Sequence, residues 1–347
     1  MREIIFEWAV VGAGPAGIAA VGKLLDQGIH PKKIAWIDPE FNVGDFGTRW
    51  QHVSSNTRVG LFIKFFERCE SFKYNTAPDF EINHTHPDHT CCLALAAKPL
   101  QWITAHLKQT VHSIQDTVQH LKLYNRCWHL QLEHQILQAN QVILATGSEP
   151  KSLAFPGIQE IPLSLALDPN HLASIGHTND TVAVFGSSHS AVLIIKTLLE
   201  QCNIKHVINF YLSPLRYAVY LDDWILFDDT GLKGNTATWA REHLDGRLPD
   251  KLTRLISNEE HIREHLPQCS HAIYATGFQK RLIPIEGIHR LEYNDRSGII
   301  APGLFGLGIA FPEAKVDRFG TLEHRVGLWK FMDYLERVLP VWLKYGC

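Results

Sequence analysis

The stretch VVGAGPAG, residues 10–17, decides the fold of this chain, and FGSSHSA, residues 185–191, repeats its arrangement in the second half. Each places a glycine-bearing turn between an apolar run typical of a buried strand and a pattern typical of a helix. Each half closes with a similar strand, VILATG ending at Gly147 and AIYATG ending at Gly277. A strand, glycine turn and helix in this order bind a dinucleotide at the helix N-terminus. The repeat predicts an α/β fold with two Rossmann-like dinucleotide-binding domains.

Proline-rich breaks at residues 155–162 and 282–284 predict how the two domains are connected. A domain inserted into another needs two connections, and these breaks supply them. We therefore expect a discontinuous first dinucleotide-binding domain of residues 1–160 and 282–347, and an inserted second one of residues 161–281; the resemblance given below implies that they are the FAD-binding and the NAD(P)H-binding domain. Inside the first domain, the pattern predicts a β-meander at 117–124 and 127–133 and a helix over 99–109 with Pro99 in its first turn. A long final helix is expected from about Leu322.

Composition excludes several classes of protein. The 347 residues hold 33 Lys and Arg against 36 Asp and Glu, and the resulting net charge of -3 gives no basic field for nucleic acid or an anionic membrane. No apolar run approaches the roughly 18 residues of a membrane span. The seven cysteines are an odd number without framework spacing, which suits reduced thiols. We expect a cytoplasmic enzyme, and the sequence leaves its oligomeric state open.

The first turn carries the features of a dinucleotide site. Gly12 permits the tight turn, Gly14 lets the backbone approach a pyrophosphate, and Gly17 allows close packing of helix on strand. Asp38 ends the next strand, where an acid hydrogen-bonds a ribose hydroxyl; the alternative is a solvated turn residue before Pro39. The residues predicted to bind the first cofactor at this turn are Gly12, Gly14, Pro15, Ala16, Gly17 and Asp38.

The second turn departs from the GxGxxG pattern, because Ser188 and Ala191 stand where the second and third glycines are expected. Small residues still allow a nucleotide to approach. The following strand has no acid after it, and Ser213 and Arg216 can instead meet a 2'-phosphate, which favours NADPH while leaving NADH possible. The alternative for Arg216 is an exposed loop cation. The residues predicted at this site are Gly186, Ser187, Ser188, Ser190, Ser213 and Arg216.

Further segments give the chain a family resemblance. The opening GAGPAG, the segment GTRWQHVSSNTRVGLFIKFF at 47–66, both ATG strands and the ending GLFGLGIAFPE at 303–313 together resemble the flavin-containing monooxygenases. Those enzymes form a branch of the FAD- and NAD(P)-binding superfamily that includes the pyridine nucleotide-disulfide oxidoreductases. In the monooxygenases a Trp follows the glycine turn after the second strand, and an Asn-Thr pair precedes an apolar segment. Trp50, Asn56 and Thr57 stand in those places.

The resemblance implies a reaction between two cofactors. NADPH passes hydride to FAD, and the reduced flavin reacts with molecular oxygen to a C4a-hydroperoxide that oxygenates a small soft nucleophile such as an amine or thioether. Asn56 is then the catalytic residue, facing the flavin; the alternative is that residues 54–57 form only a polar turn. The further cofactor-binding residues are Trp50, Thr57, Val118, Thr146, Gly147, Thr276, Gly277, Phe311 and Pro312.

One departure from the monooxygenase pattern keeps other functions open. The monooxygenase fingerprint FxGxxxHxxxY or F retains Phe155 and Gly157 but has Ile161 at the histidine position. No CxxC or CxxxxC pair is present for disulfide reduction, and the adjacent Cys91 and Cys92 are expected as small apolar residues at a helix start. One alternative is an NAD(P)H-dependent flavin reductase that gives electrons to a quinone, a protein or oxygen without oxygenation. The other is a nucleotide-binding sensor that does not turn over.

Two of three further segments are expected to have mainly structural roles. His84, His86, Asp88 and His89 spell the HxHxDH of metallo-β-lactamase-like hydrolases, but their flanks belong to a nucleotide-binding half, so we expect no metal site. Residues 227–246 are expected to form a lid over the nicotinamide or a substrate-binding surface; the alternative is an insertion that only packs. The final helix is expected to bury a stripe that includes Val326, Trp329, Leu335 and Leu339, and its N-terminus to lie near the reduced flavin.

Overall fold

The computed structural model describes residues 5–175 and 178–345. Up to residue 150 its helices and strands are β1 (Ile5–Val11), α1 (Pro15–Asp26), β2 (Ile34–Ile37), α2 (Gly44–Thr48), β3 (Ser54–Arg58), α3 (Val59–Phe66), β4 (Thr90–Cys92), α4 (Leu93–Thr110), β5 (His112–Ile114), β6 (Val118–Tyr124), β7 (Cys127–Leu132), β8 (Ile136–Leu144) and β9 (Ser148–Pro150).

The chain continues with a second set of elements and then a final one. The second set is β10 (Gln159–Glu160), α5 (Leu163–Ala166), α6 (Pro169–Ile175), β11 (Thr181–Phe185), α7 (His189–Glu200), β12 (His206–Tyr211), β13 (Val219–Tyr220), β14 (Ile225–Leu226), α8 (Gly234–His243), β15 (Leu252–Ile256), α9 (Glu259–His265), β16 (His271–Tyr274) and β17 (Phe278–Lys280). The final set is β18 (Ile299–Ala301), β19 (Leu304–Gly306), β20 (Glu313–Val316), β21 (Leu322–Arg325) and α10 (Leu328–Trp342).

Contacts group these elements into two units. Unit 1 comprises the described parts of Met1–Gln51, Thr57–Ser148 and Lys280–Cys347, and unit 2 comprises His52–Asn56 and Glu149–Gln279. The long segment of unit 2 therefore lies, in sequence, between two segments of unit 1. The short segment 52–56 also groups with unit 2, although the sequence pattern placed it in the first domain.

Unit 1 is built on a sheet in the order β18-β19-β8-β1-β2-β5, with the β6-β7 meander joined through β7 to β8. Strands β19, β8, β1, β2 and β5 run parallel. Trp8 and Trp36 on the central strands are almost fully buried, because a parallel sheet is covered on both faces. One core contains α1, α3, α4 and α10, and the other lies on the meander side.

Unit 2 repeats this plan on a smaller scale. The five strands of its main sheet run parallel in the order β10-β16-β11-β12-β15. Its core includes the stacked rings of Phe155 and Phe185, whose centroids are 5.4 Å apart. The chain is thus an α/β protein with two Rossmann-type units.

Two predicted helix starts are wrong. Helix α4 begins at Leu93, so Pro99 lies inside the helix and is buried there instead of occupying the first turn. Residues 322–325 form β21, an antiparallel partner of β20, and α10 begins only at Leu328 after Gly327. Val326 is consequently 43% exposed, whereas Leu335 and Leu339 are buried as expected. The predicted β-meander is confirmed as β6 and β7.

Candidate active site

The first glycine turn joins β1 to α1 through contacts that leave no room for a side chain. Gly12 has a φ of +108°, and a Cβ there would lie 2.3 Å from the Ala145 carbonyl oxygen. A Cβ on Gly17 would lie 1.9 Å from the Gly12 carbonyl oxygen. The same oxygen accepts a hydrogen bond from Nε1 of Trp36 at 3.0 Å. Strand, turn and helix are therefore packed backbone against backbone.

The N-terminus of α1 is open in the sense that no side chain of the described residues caps it. Gly14 is its N-cap, and within the described residues no side chain caps this end and no acid lies in the first turn. Pro15 begins the helix, and Ala16 is buried so closely beside Gly308 that a Cβ on that glycine would lie 2.7 Å from the alanine methyl. A Cβ on Gly44 would lie 3.3 Å from the Gly14 Cα, which brings a second backbone turn against the first. Free N–H groups and the positive helix end suit a pyrophosphate, so these residues fit a dinucleotide.

Asp38 holds this turn in place. One carboxylate oxygen accepts the Ala13 N–H at 2.7 Å, and the other accepts the N–H groups of Glu40 at 2.9 Å and Phe41 at 2.6 Å. Only 8% of the residue is exposed, so its interpretation as a solvated turn residue is wrong. Its bond to a ribose hydroxyl stays a prediction.

The second glycine turn joins β11 to α7 with a different set of side chains. Gly186 has a φ of +125°, and a Cβ there would lie 2.4 Å from the Ala275 carbonyl oxygen. Its own carbonyl accepts a hydrogen bond from Nδ2 of the fully buried Asn209 at 2.8 Å. Ser188 is the N-cap of α7 without a side-chain cap bond, and no acid lies in the first turn, which also contains Ser190. This helix end fits a dinucleotide as the first one does.

The residues predicted to meet a 2'-phosphate are only partly brought together. Ser187 donates from Oγ to the Ser213 carbonyl at 2.8 Å, which joins the turn to the end of β12. Arg216 is exposed, and its guanidinium lies 4.6 Å from the Phe227 ring centroid and 3.5 Å from the Thr230 hydroxyl. Arg216 therefore contacts the 227–246 stretch.

The two ATG turns have matching geometry. Gly147 and Gly277 have φ values of +73° and +96°. In unit 1 the Thr146 hydroxyl donates to the Arg281 carbonyl at 2.7 Å, and Arg281 N–H returns a bond to the Gly147 carbonyl. In unit 2 the Thr276 hydroxyl donates to the Lys151 carbonyl at 3.3 Å, and Lys151 N–H returns a bond to the Gly277 carbonyl. Both threonines predicted to bind cofactor thus bond to the chain just outside the ATG turns.

The segment that carries the predicted catalytic residue forms strand β3, so the interpretation of 54–57 as only a polar turn is wrong. Asn56 is exposed on it, while Trp50 and Thr57 are half-buried. The Ser54 carbonyl lies 2.9 Å from Nε2 of His189, the first residue of α7. Burial lowers the pKa of His189, and the nearby Lys233 lowers it further. A neutral histidine therefore joins this segment to the second glycine turn.

Two of the residues predicted near the cofactor lie in the core of unit 1. Val118 is 7% exposed and belongs to the meander-side core of unit 1. Phe311 has no exposed surface, and its carbonyl accepts the Tyr293 hydroxyl at 2.6 Å. Pro312 is half-buried beside it. As the structure stands, Val118 and Phe311 are core residues.

The histidine-rich motif does not converge on one point. Nε2 of His84 lies 2.6 Å from an Asp79 carboxylate oxygen, and Asp88 pairs with Arg58 at 2.9 Å. Between residues 5 and 345, outside the gap at 176–177, the cluster with metal-ligand spacing is Asp116, Glu133 and His134. Its Asp116 carboxylate already accepts the backbone N–H groups of Thr117, Glu133 and His134, which explains the cluster as a turn.

The cysteines within the described ranges are free thiols, and Cys347 lies outside them. Burial raises the pKa of the Cys69 thiol. It also raises the pKa of Cys269, to about 11. The Cys92 thiol donates to the Gln51 carbonyl at 2.8 Å, and it forms no disulfide with its buried neighbour Cys91.

Sequence reasoning missed His189, Asn209 and Arg254. Asn209 accepts the Arg254 Nε–H at 3.0 Å, and the Arg254 guanidinium lies 4.9 Å from the Tyr211 ring centroid. Burial lowers the pKa of Arg254. A polar residue inside the apolar run HVINFY was the available signal for Asn209, because a buried amide needs partners.

Comparison with known proteins agrees with this geometry. Residues 6–204 match the family described as pyridine nucleotide-disulphide oxidoreductase. A Paecilomyces divaricatus protein named Monooxygenase AgnR1 is 37% identical over 381 residues, covering 96% of this chain and 97% of that protein.

Two solved structures share the fold. The flavin-containing monooxygenase from Stenotrophomonas maltophilia superposes with a TM-score of 0.64 at 16% identity, over 98% of each chain. The cadaverine monooxygenase DfoA from Erwinia amylovora, bound to FAD, superposes with a TM-score of 0.59 at 13% identity, over 88% of each chain. No helix within the described ranges is long and apolar enough to cross a membrane. With two open helix ends after glycine turns and these relatives, the chain belongs to the pyridine nucleotide-disulphide oxidoreductase family, in its flavin monooxygenase-like branch, and is a flavin-dependent oxidoreductase.

Proposed function

We propose that this protein is an FAD-dependent monooxygenase that uses NADPH and molecular oxygen to oxygenate a small soft nucleophile such as an amine or thioether. The observation that carries the proposal is the pair of open N-termini of α1 and α7, each after a glycine with positive φ. When bound, FAD supplies the hydride acceptor and the oxygen chemistry, and NADPH supplies the hydride. The protein's share is binding, orientation and exclusion of water.

The residues divide between the two sites. Gly12, Gly14 and Gly17 would hold the FAD pyrophosphate at α1, with Asp38 fixing the turn. Gly186, Ser188 and Ser190 would hold NADPH at α7, and Ser213 and Arg216 would meet its 2'-phosphate. The residues at each turn fit because a phosphate would satisfy N–H groups that have no side-chain cap.

Asn56 would orient oxygen at the flavin. Its exposed side chain supports this role, since a residue that touches substrate or cofactor needs free surface. Ser55 beside it is buried, with 6% of its surface exposed, so this part of the segment is packed against the protein. The near full-length relative named a monooxygenase supports oxygenation over simple electron transfer.

A second candidate is an NAD(P)H-dependent flavin reductase without oxygenation. Ile161 stands at the position of the fingerprint histidine, and it is 5% exposed with its N–H bonded to the Ala272 carbonyl. An apolar core residue there gives the nucleotide no polar contact. This observation favours a looser hold on the oxidised nucleotide.

The coupling of NADPH consumption to product separates the candidates. We expect the yellow holoprotein to bleach on anaerobic addition of NADPH, and a panel of amines and thioethers to raise NADPH consumption without matching peroxide. Oxygenated product measured by mass spectrometry should account for the difference. If every compound leaves peroxide equal to NADPH consumed, the reductase interpretation replaces monooxygenation. If NADPH does not bleach the holoprotein, both the monooxygenase and the reductase interpretation are wrong.

A further inference from the structure

His189 is the first residue of α7, the helix that follows the second glycine turn. The corresponding first residue of α1 is Pro15. Its ring reaches back to a segment 135 residues earlier, with Nε2 lying 2.9 Å from the Ser54 carbonyl oxygen. Both residues belong to unit 2. The contact therefore lies inside one unit and joins the nucleotide turn to strand β3.

The bond defines the protonation of the ring. A carbonyl oxygen only accepts, so Nε2 must carry the hydrogen and Nδ1 must present a lone pair. Nδ1 has no accessible surface and no partner among the described residues. A second proton there would be buried without an acceptor, and burial together with Lys233 lowers the pKa of the ring. His189 is therefore the neutral Nε2–H tautomer.

Packing alone does not explain this residue. A buried acceptor without a partner costs free energy, whereas an apolar side chain of similar size would carry no such cost. What the imidazole supplies in return is the hydrogen bond to Ser54. Within unit 2, His52 also lies 3.7 Å from Asp168, but His52 is 58% exposed, so this pair contributes little to holding the segment.

The held segment is short and leads directly to the predicted catalytic residue. Residues 52–56 group with unit 2, whereas Gln51 and Thr57 on either side group with unit 1. Asn56 lies two residues after Ser54 in β3. Whatever fixes the Ser54 carbonyl therefore limits where Asn56 can lie.

We propose that His189 is a positioning residue: its Nε2–H bond to the Ser54 carbonyl ties the helix end that receives the nicotinamide nucleotide to the segment that carries Asn56. This inference rests on the proposed function, which assigns Asn56 to the flavin. It adds that the position of Asn56 is maintained from the second nucleotide turn by a side chain that touches neither flavin nor substrate. Loss of this bond should misplace Asn56. More of the oxygen consumed should then leave as hydrogen peroxide instead of entering an oxygenated product.

The test compares three variants of the FAD-loaded protein. His189→Leu removes the donor, and His189→Gln keeps an N–H near the position of Nε2. His206→Gln is the matched control, because His206 is also a half-buried histidine of unit 2 with a burial-lowered pKa and bonds to the Thr253 hydroxyl at 2.8 Å. The readouts are peroxide released per NADPH consumed, the anaerobic rate of flavin reduction, its NADPH concentration dependence, and melting temperature.

We expect His189→Leu to raise peroxide released per oxygenated product by about 10- to 100-fold, as misplacement of a reacting group does. His189→Gln should recover most of the coupling, and His206→Gln should match wild type. Equal coupling in His189→Leu and wild type, or failure of His189→Gln to recover any of it, would overturn the proposal.

A second measurement, made on the wild-type protein, tests the hydrogen bond even if the His189→Leu variant does not fold. The ring nitrogens of ¹⁵N-histidine-labelled wild type are observed by NMR at neutral pH, and the His189 signals are assigned by their loss in His189→Gln. We expect couplings of the Nε2–H tautomer; the Nδ1–H tautomer or a cationic ring would refute the bond. If wild type yields no oxygenated product with any compound, the proposed function fails, but the reduction rate and the tautomer still decide the role of His189.

Discussion

At the first glycine turn the indole of Trp36 donates to the Gly12 carbonyl, and at the second the amide of Asn209 donates to the Gly186 carbonyl. The two donors hold the same position in their sheets, since Trp36 pairs with Val10 and Asn209 with Val184, each two residues before the glycine. Different side chains thus satisfy one carbonyl. The two turns therefore share this geometry although different residues support them.

The differences lie at the third glycine position and at the strand end. Gly17 permits no Cβ, whereas Ala191 places its methyl 3.4 Å from the ideal Cβ of Gly186. After the strands, Asp38 bonds to three backbone N–H groups, while Tyr211 in the matching place lies against Arg254. The first turn is therefore tighter and anchored by an anion, and the second is looser and lined by a cation.

Adding one methyl group at the tightest point should break the comparison most strongly. Gly17→Ala places a Cβ 1.9 Å from the Gly12 carbonyl oxygen, so α1 must move away from β1. We expect a loss of about 3 kcal/mol in the free energy of unfolding, with FAD lost on purification. The matched change, Ala191→Gly, should cost about 1 kcal/mol and keep FAD. Urea unfolding and flavin absorbance check both; a Gly17→Ala protein that retains FAD would contradict the tight packing.

Removing the amide support should weaken the second turn alone. Asn209→Ala leaves the carbonyls of Val184 and Gly186 and the Nε of Arg254 without this partner. We expect about 2 to 3 kcal/mol lower stability and a higher KM for NADPH, with FAD content unchanged. Denaturant unfolding and steady-state kinetics measure the two effects. An unchanged KM would show that the Gly186 turn holds without Asn209.

Exchanging the anchor of the first turn should have a smaller effect. Asp38→Asn keeps the shape but turns an N–H₂ group toward one of the three backbone donors, so we expect a loss of about 1 to 2 kcal/mol. FAD affinity should fall and the KM for NADPH should stay the same. Fluorescence titration of the apoprotein with FAD measures the affinity. Tyr211→Phe, at the matching position of unit 2, is the control and should leave FAD binding at the wild-type value.

The smallest effect is expected at Arg216, the exposed cation that follows β12. Arg216→Ala should raise the KM for NADPH by at most about fivefold and leave that for NADH unchanged, because exposed charge pairs contribute little. Arg254→Ala is the informative partner, since its guanidinium is partly buried beside the strand end. If only Arg254→Ala changes the ratio of the two KM values, the 2'-phosphate lies against β15 and the prediction for Arg216 is wrong.

Local pattern was enough for the repeated strand, turn and helix. Apolar runs of β1 and β11 predict buried strands, and the φ values of Gly12 and Gly186 are those for which glycine is favoured. The pattern failed where two local signals competed. Pro99 indicated a helix start, but helix α4 buries residues on both sides of it; the final helix was extended back into β21, whose residues pair with β20.

By itself, then, the sequence determined an α/β chain with two dinucleotide turns and no redox cysteine pair, because turns and strands depend on neighbours along the chain. Only the tertiary structure decided which side chains support those turns. The deciding hydrogen bonds join residues far apart in sequence: Asn209 and Gly186 are 23 positions apart, Asp38 and Ala13 are 25 apart, and His189 and Ser54 are 135 apart. Hydrogen bonds over such separations arise when strands pair and segments pack, and no spacing along the sequence encodes them.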